Sequence, residues 1–271
     1  MKRVFAAGVV VSSALAVSGC VHGEFGDRAR ASVSETRELA KGGKFSLDNT
    51  NGRIEIAGWD EQKVSIEATK RAGSERLLEE LKVEIEGDAD HVRVRSRHSR
   101  PRWFGGSGRV DYHVKVPRTA RVSVDNVNGR VEIVGVAAAV EASTVNGSVE
   151  VRDATGEVDA SAVNGSVEAS LSQLDPEGRS KLSTTNGSVR LTLPRDANAE
   201  IEAKTVNGGI GCDFDLDGGR KSRRRLEGRI GTGGARFDLG TVNGSVNIDR
   251  GLQARAESRP PAEASPDTQP R

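Results

Sequence analysis

The dipeptide Asn-Gly occurs seven times in this chain, and its spacing limits the possible folds more than any other feature. The asparagines are Asn51, Asn128, Asn146, Asn164, Asn186, Asn207 and Asn243, each followed by glycine at Gly52, Gly129, Gly147, Gly165, Gly187, Gly208 and Gly244. From Asn128 onward the steps are 18, 18, 22, 21 and 36 residues, and the step from Asn51 to Asn128 is 77. A fixed period of this size marks a structural repeat.

Alignment on the asparagine exposes the unit. Four residues before it stand Leu47, Val124, Ala142, Ala160, Leu182, Ala203 and Leu239; directly before it stand Thr50, Val127, Val145, Val163, Thr185, Val206 and Val242. Three residues after it come Ile54, Val131, Val149, Val167, Val189, Ile210 and Val246; five after come Ile56, Ile133, Val151, Ala169, Leu191, Cys212 and Ile248. Period-two alternation on both sides of Asn-Gly predicts strand, corner, strand. The residues two and four after the asparagine, Ser, Arg or Glu in most units, are expected to face water.

An antiparallel β-meander, with Asn-Gly as type I′ hairpin turns, satisfies this pattern. So does a β-solenoid, in which each Asn-Gly is a corner, glycine supplies the unusual backbone, and the asparagines stack as a hydrogen-bonded ladder. The near-constant unit length and common register favour the solenoid, because each coil must superpose on its neighbour. Composition agrees with a thin repetitive core: aromatic residues are 3% of the chain, with one Tyr and two Trp.

Residues 48–56 (Asp-Asn-Thr-Asn-Gly-Arg-Ile-Glu-Ile) resemble an adhesin-like domain of unknown function found in many bacteria. So do the Val-Asn-Gly-Ser-Val stretches at 145–149, 163–167 and 242–246, and residues 228–236 (Gly-Arg-Ile-Gly-Thr-Gly-Gly-Ala-Arg). The resemblance covers residues 41–250. It implies an all-β, right-handed parallel β-helix-like solenoid, and it brings no catalytic residues.

The N-terminal segment reads as an export signal. Lys2 and Arg3 precede an apolar run over residues 4–17, then Val17-Ser18-Gly19-Cys20. That layout is secretory, and the last four residues resemble a bacterial lipobox. Residues 1–19 are therefore expected to be removed and Cys20 to be lipidated, with more than one acyl chain holding the protein to a membrane. Val21, rather than Asp, follows Cys20; by resemblance to Gram-negative sorting rules this directs the protein to the outer membrane of such a cell. With Cys20 acylated, Cys212 has no cysteine to pair with and is expected to act as a small buried hydrophobe.

Whole-chain formal charge is +1, and loss of Lys2 and Arg3 leaves 1 − 2 = −1. No global basic field exists for nucleic acid. The expected partners are a membrane, through the anchor, and an envelope protein or glycan.

Three segments depart from the repeat. Residues 73–82 predict a short helix, with Ser74 as N-cap and Leu77, Leu78 and Leu81 on one stripe. Residues 95–109 form a basic insertion in which Arg102, Trp103 and Phe104 make a candidate binding loop. Residues 218–226 hold a second basic loop, from Arg220 to Arg225. Residues 20–40 read as a polar tether, and residues 251–271, rich in Pro, Ala and Glu, as a disordered tail.

Enzymatic signals are missing from the sequence. His22, His91, His98 and His113 stand outside the regular repeats, the last three in or beside residues 90–113, where they could meet, but without metal-ligand spacing. Asp213, Asp215 and Asp217 alternate, as if on one strand face, yet resemble a calcium loop only weakly. No cofactor motif is present. The expectation is a non-catalytic cell-envelope lipoprotein presenting a rigid β surface for adhesion. A periplasmic regulatory partner in envelope stress sensing and a glycan-processing β-helix enzyme are the alternatives.

Overall fold

The computed structural model describes residues 29–98 and 108–251. The expected signal peptide, Cys20, His22, the candidate loop residues Arg102, Trp103 and Phe104, and the tail from residue 252 lie outside the described residues.

Six corners in a row generate the centre of the fold. Strand β8 (Arg121–Asn128) turns into β9 (Val131–Val134), β10 (Val140–Asn146) into β11 (Val149–Ala154), β12 (Val158–Asn164) into β13 (Val167–Leu171), and β14 (Arg179–Asn186) into β15 (Val189–Leu193). The same unit recurs as β16 (Ala199–Asn207) with β17 (Ile210–Cys212), and as β20 (Ala235–Asn243) with β21 (Val246–Arg250). Strands before each corner pair in parallel with their equivalents, Asn146↔Asn128 and Asn146↔Asn164 for example, and so do strands after it. Parallel pairing decides for the solenoid over the meander: each Asn-Gly joins two different sheets and closes no hairpin.

The core lies between the two sheets. The columns four before and three after the asparagine are buried, apart from half-buried Ile210 in the outermost coil. Stacking brings like against like along the axis, Val on Val and Ala on Ala, which explains how a core nearly without aromatic rings can be filled. Cys212 is half-buried rather than buried, and burial raises its thiol pKa.

The column directly before the asparagine behaves otherwise. Val127, Val145, Val163 and Val242 are 40–42% exposed and Val206 55%. These side chains face outward despite being apolar. The inward residue at the corner is instead the one two before the asparagine, Asn49, Asn126, Thr144, Ala162, Thr184, Thr205 or Thr241, all buried. Strict alternation from the buried column four before makes this the geometric outcome.

Both ends are elaborated. At the N-terminal end, β1 (Ala29–Glu38) pairs antiparallel with β4 (Lys63–Ala72), and β4 with β7 (Arg109–Pro117). Residues 29–38, read from sequence as tether, are thus an edge strand. Its alternation, buried or half-buried at odd positions, is carried by Ala29, Ala31, Val33 and polar residues, too weak an apolar signal to declare a strand. The first corner joins β2 (Lys44–Asn51) to β3 (Ile54–Trp59). The expected helix is α1 (Glu75–Glu80), capped by the Ser74 hydroxyl, which accepts from the Leu77 N–H at 3.3 Å. Leu81 is buried but begins β5 (Leu81–Gly87), antiparallel to β6 (His91–His98). The segment 95–109 therefore contains the end of β6 and the start of β7. At the other end, the basic segment 218–226 is a hairpin and not an open loop: β18 (Asp217–Lys221) and β19 (Arg225–Ile230) pair antiparallel, and β19 covers β16.

Coil order also departs from chain order. One sheet runs β1-β4-β7-β3-β9-β11-β13-β15-β21-β17, the other β18-β19-β16-β20-β14-β12-β10-β8-β2-β6-β5. The first regular coil, β2–β3, is covered by the later β6–β7. The last coil, β20–β21, is inserted between β14–β15 and the earlier β16–β17. Neither terminal coil is left as a fraying edge.

Candidate functional site

The corners form one continuous edge of the solenoid. Along it the asparagine side chains make an unbroken ladder. Asn128 Nδ2 donates to Asn51 Oδ1 at 2.7 Å, Asn146 to Asn128 and Asn164 to Asn146 at 2.9 Å each, and Asn186 to Asn164 at 2.8 Å. Asn243 then donates to Asn186 at 2.7 Å and Asn207 to Asn243 at 2.8 Å, following the spatial order of the coils. All seven predicted corner asparagines are thereby brought together.

Backbone bonds at the same corners run the other way. The N–H groups of Gly129, Gly147, Gly165, Gly187 and Gly244 donate to Asn146, Asn164, Asn186, Asn243 and Asn207 carbonyls at 2.8–3.0 Å. Side-chain amides donate toward the N-terminal end and backbone amides toward the C-terminal end, so the two rows of dipoles oppose each other. Glycine is demanded chiefly by close approach. At Gly129 (φ +137) an added Cβ would fall under 3.0 Å from both the carbonyl carbon and the oxygen of Gly52.

Sequence reasoning missed a second ladder, directly beneath the first. Thr144 Oγ1 donates to the Gly129 carbonyl at 3.3 Å, Thr184 to Gly165 at 2.7 Å, Thr241 to Gly187 and Thr205 to Gly244 at 2.9 Å each. Asn126 Nδ2 donates to the Gly52 carbonyl at 3.1 Å and Asn49 Nδ2 to Val110. These bonds satisfy corner carbonyls inside the fold. The Thr two before the Asn in four of the seven units was the available signal.

Outside the ladder the edge carries the valine row and, beyond the glycines, Ser148, Ser166, Ser188 and Ser245. Four neighbouring corners, at 143–148, 161–166, 183–188 and 240–245, hold no ionisable side chain. Leaving out the inward residue, the ladder asparagine and its glycine, they offer twelve positions in a chain that is 29% charged, so about three charges would be expected by composition. Charge begins on the flanking sheet faces. On one, Arg53, Arg130 and Arg152 interleave with Glu55, Glu132 and Glu150: Arg53–Glu132 is 3.0 Å and Arg152–Glu150 2.9 Å, with further pairs Arg130–Glu150 and Arg152–Glu132. The Glu150 contact raises the Arg130 pKa. On the other face an open depression of ≈ 690 Å³ near β16 and β19 mixes both signs, among them Asp159, Lys181, Glu200, Arg229 and Arg236.

The remaining candidates do not converge. His91 sits on one sheet with Nε2 2.8 Å from Ser46 Oγ; His113 sits on the other with Nδ1 2.7 Å from Glu55. The expected meeting of histidines is not formed by these two. Asp213 and Asp215 lie in the crossing after β17 and only Asp217 starts β18, so the three do not share a strand face. Among the described residues no group of three His, Cys, Asp or Glu side chains is placed to hold a metal. Tyr112, the one tyrosine, is structural: burial pushes its pKa up to about 12, and its hydroxyl lies 2.7 Å from Ser96 Oγ. No helix among the described residues is long and apolar enough to cross a membrane.

These observations define a parallel two-sheet β-solenoid with an amide-laddered edge. The sequence profile of Toastrack DUF4097 matches residues 33–249, and the chain belongs to that family. No curated protein matches the chain. Among solved structures it is similar to a "putative cell adhesion protein" from Clostridium sporogenes, at 12% identity and TM-score 0.46, covering 81% of this chain and 100% of that one. A "putative adhesin" from Bacteroides fragilis is similar at 13% identity and TM-score 0.42, covering 81% and 96%. A "Putative lipid binding protein" from Parabacteroides distasonis gives 10% identity and TM-score 0.30, covering 81% and 97%.

Proposed function

We propose that this protein is a non-catalytic cell-envelope lipoprotein, anchored through Cys20, whose corner edge is a contact surface for adhesion. The observation that carries the reading is the run of four adjacent uncharged corners with its half-exposed valines. The row is small beside the apolar patches of large interfaces, and its regular spacing, rather than its area, is what supports a contact role. Strand spacing sets the coils about 4.8 Å apart, so weak contacts repeated along the row add through multivalency. The lipobox-like 17–20 segment supports the anchor.

The test uses cells lacking the protein, complemented with wild type or with the Val145→Glu, Val163→Glu double variant. Loss of attachment in the null strain, restored by wild type and not by the variant, supports the reading. Equal restoration by both removes it. Labelling with radioactive palmitate, abolished by Cys20→Ser, tests the anchor separately.

A further inference from the structure

We propose that the uncharged edge takes a neutral, linear polysaccharide, laid along the solenoid axis across the corners of Asn146, Asn164, Asn186 and Asn243. This rests on the reading of the edge as a contact surface and names its partner.

Size excludes one class of occupant first. Four corners span about three strand spacings, roughly 14 Å, and the outward positions of one corner cover a comparable width. The resulting patch, on the order of 200–300 Å², falls well short of the about 800 Å² per partner that a stable protein–protein interface buries. A second copy of the chain docked here would not be held. The shape, long and narrow, suits a ligand that is itself a strand.

Backbone accounting separates a peptide strand from a sugar strand. A peptide adding to a sheet needs unpaired N–H and C=O groups. Along these corners the glycine N–H groups are bonded to the next coil, and the Gly165 and Gly187 carbonyls accept from Thr184 and Thr241. No continuous row of open N–H and C=O groups is left for a peptide strand, and most of what the edge still offers belongs to side chains. Each ladder amide uses one of its two N–H groups on one neighbour and accepts from the other, so each keeps one donor and one acceptor site. A hydroxyl is also one donor and an acceptor. Beside each amide stand a serine hydroxyl or glycine-lined backbone on one side and valine methyl groups on the other, with Thr185 in the one coil that lacks valine. Alternating hydroxyls and C–H faces, the two textures of a sugar chain, match that pairing.

Charge selects among polysaccharides. Arg130 and Lys204, the cations on the two coils that flank the four corners, are both paired with glutamates, Glu150 and Glu202, and the four corners themselves carry none. A uronic-acid or phosphate polymer would lose hydration of its charges without gaining a partner. A neutral chain has no such cost.

The experiment immobilises three linear neutral polysaccharides (a soluble cellulose ether, a galactomannan and a dextran) with alginate as the anionic comparator, and measures binding of the full, detergent-solubilised chain by interferometry. The expected result is retention on at least one neutral polymer, unchanged between about 0.05 and 0.5 M salt. Val145→Glu with Val163→Glu should weaken it at least about tenfold, whereas Val145→Thr with Val163→Thr, which keeps a methyl and adds no charge, should stay within about threefold. Circular dichroism confirms that both variants fold. No retention on any neutral polymer, or retention indifferent to the glutamates, overturns the proposal. Salt-sensitive binding to alginate alone also overturns it. In either case an attachment defect of the glutamate variant in cells would show that the edge is the contact surface and that only the class of partner is wrong.

Discussion

Gly129 shows how little freedom a corner residue has. Its missing Cβ is what lets one coil rest on the carbonyl of the next, and its φ of +137 is unfavourable for any L side chain. Gly129→Ala combines overpacking with backbone strain and should cost about 2–4 kcal/mol. Gly240→Ala, where an added methyl meets nothing within 4 Å, should be near neutral. Thermal midpoints of the two variants provide the comparison. The inner ladder yields a prediction of opposite sign. Asn126 donates to Gly52 but leaves its own Oδ1 buried without a partner, whereas threonine at the same position of four other coils makes the equivalent bond with no orphan carbonyl. Asn126→Thr should therefore stabilise by about 1 kcal/mol, measurable as a raised urea midpoint. The Asn-Gly corners were legible because glycine and asparagine are few-purpose residues. The valine row was not: apolar identity points inward by default, and only the position of the buried threonines shows that these side chains turn out.

Among the elements, the regular strands were readable and their caps were not. A strand between two like strands repeats a pattern; a cap meets its partner once and leaves no period. The β18–β19 hairpin illustrates this. Its sequence, dominated by Arg220, Arg223, Arg224 and Arg225, has the composition of a solvated loop, yet Leu226 is fully buried and the hairpin pairs along β16. Leu226→Ala should cost about 2–5 kcal/mol and, by loosening the cover over β16, expose a strand edge prone to association. A lowered melting temperature accompanied by concentration-dependent light scattering is the expected outcome. Loss of stability without association would mean that β16 stays covered. β1 was misread for a related reason: its more buried face is Ala29, Ala31, Val33, Glu35 and Arg37, so the alternation exists in space with little hydrophobic signature.

For the whole molecule, the arrangement of coils matters more than their number. In a repeat array, stability depends on neighbours, and a terminal coil normally has one. Here the first and last Asn-Gly coils each have two, because β6–β7 and β16–β17 lie outside them. The chain's last strand should therefore be among its better protected. Hydrogen exchange at Val246 and Ile248 in β21 is expected to be slower than at Ile210 and Cys212 in β17, which lies at the end of its sheet despite coming earlier in sequence. The reverse order would indicate coils stacked in chain order. No periodicity argument could have found this exchange, since β16 and β20 carry the same repeat and are equally able to pair with β14.

The measurement that bears most directly on the edge as contact surface is photo-crosslinking in intact cells, from a light-activated residue placed at Val145 or, for comparison, at Arg190 on a sheet face. The account predicts envelope adducts from Val145 and few or none from Arg190, since only the former lies on the uncharged row. Equal yields from both sites, or adducts from Arg190 alone, would contradict it.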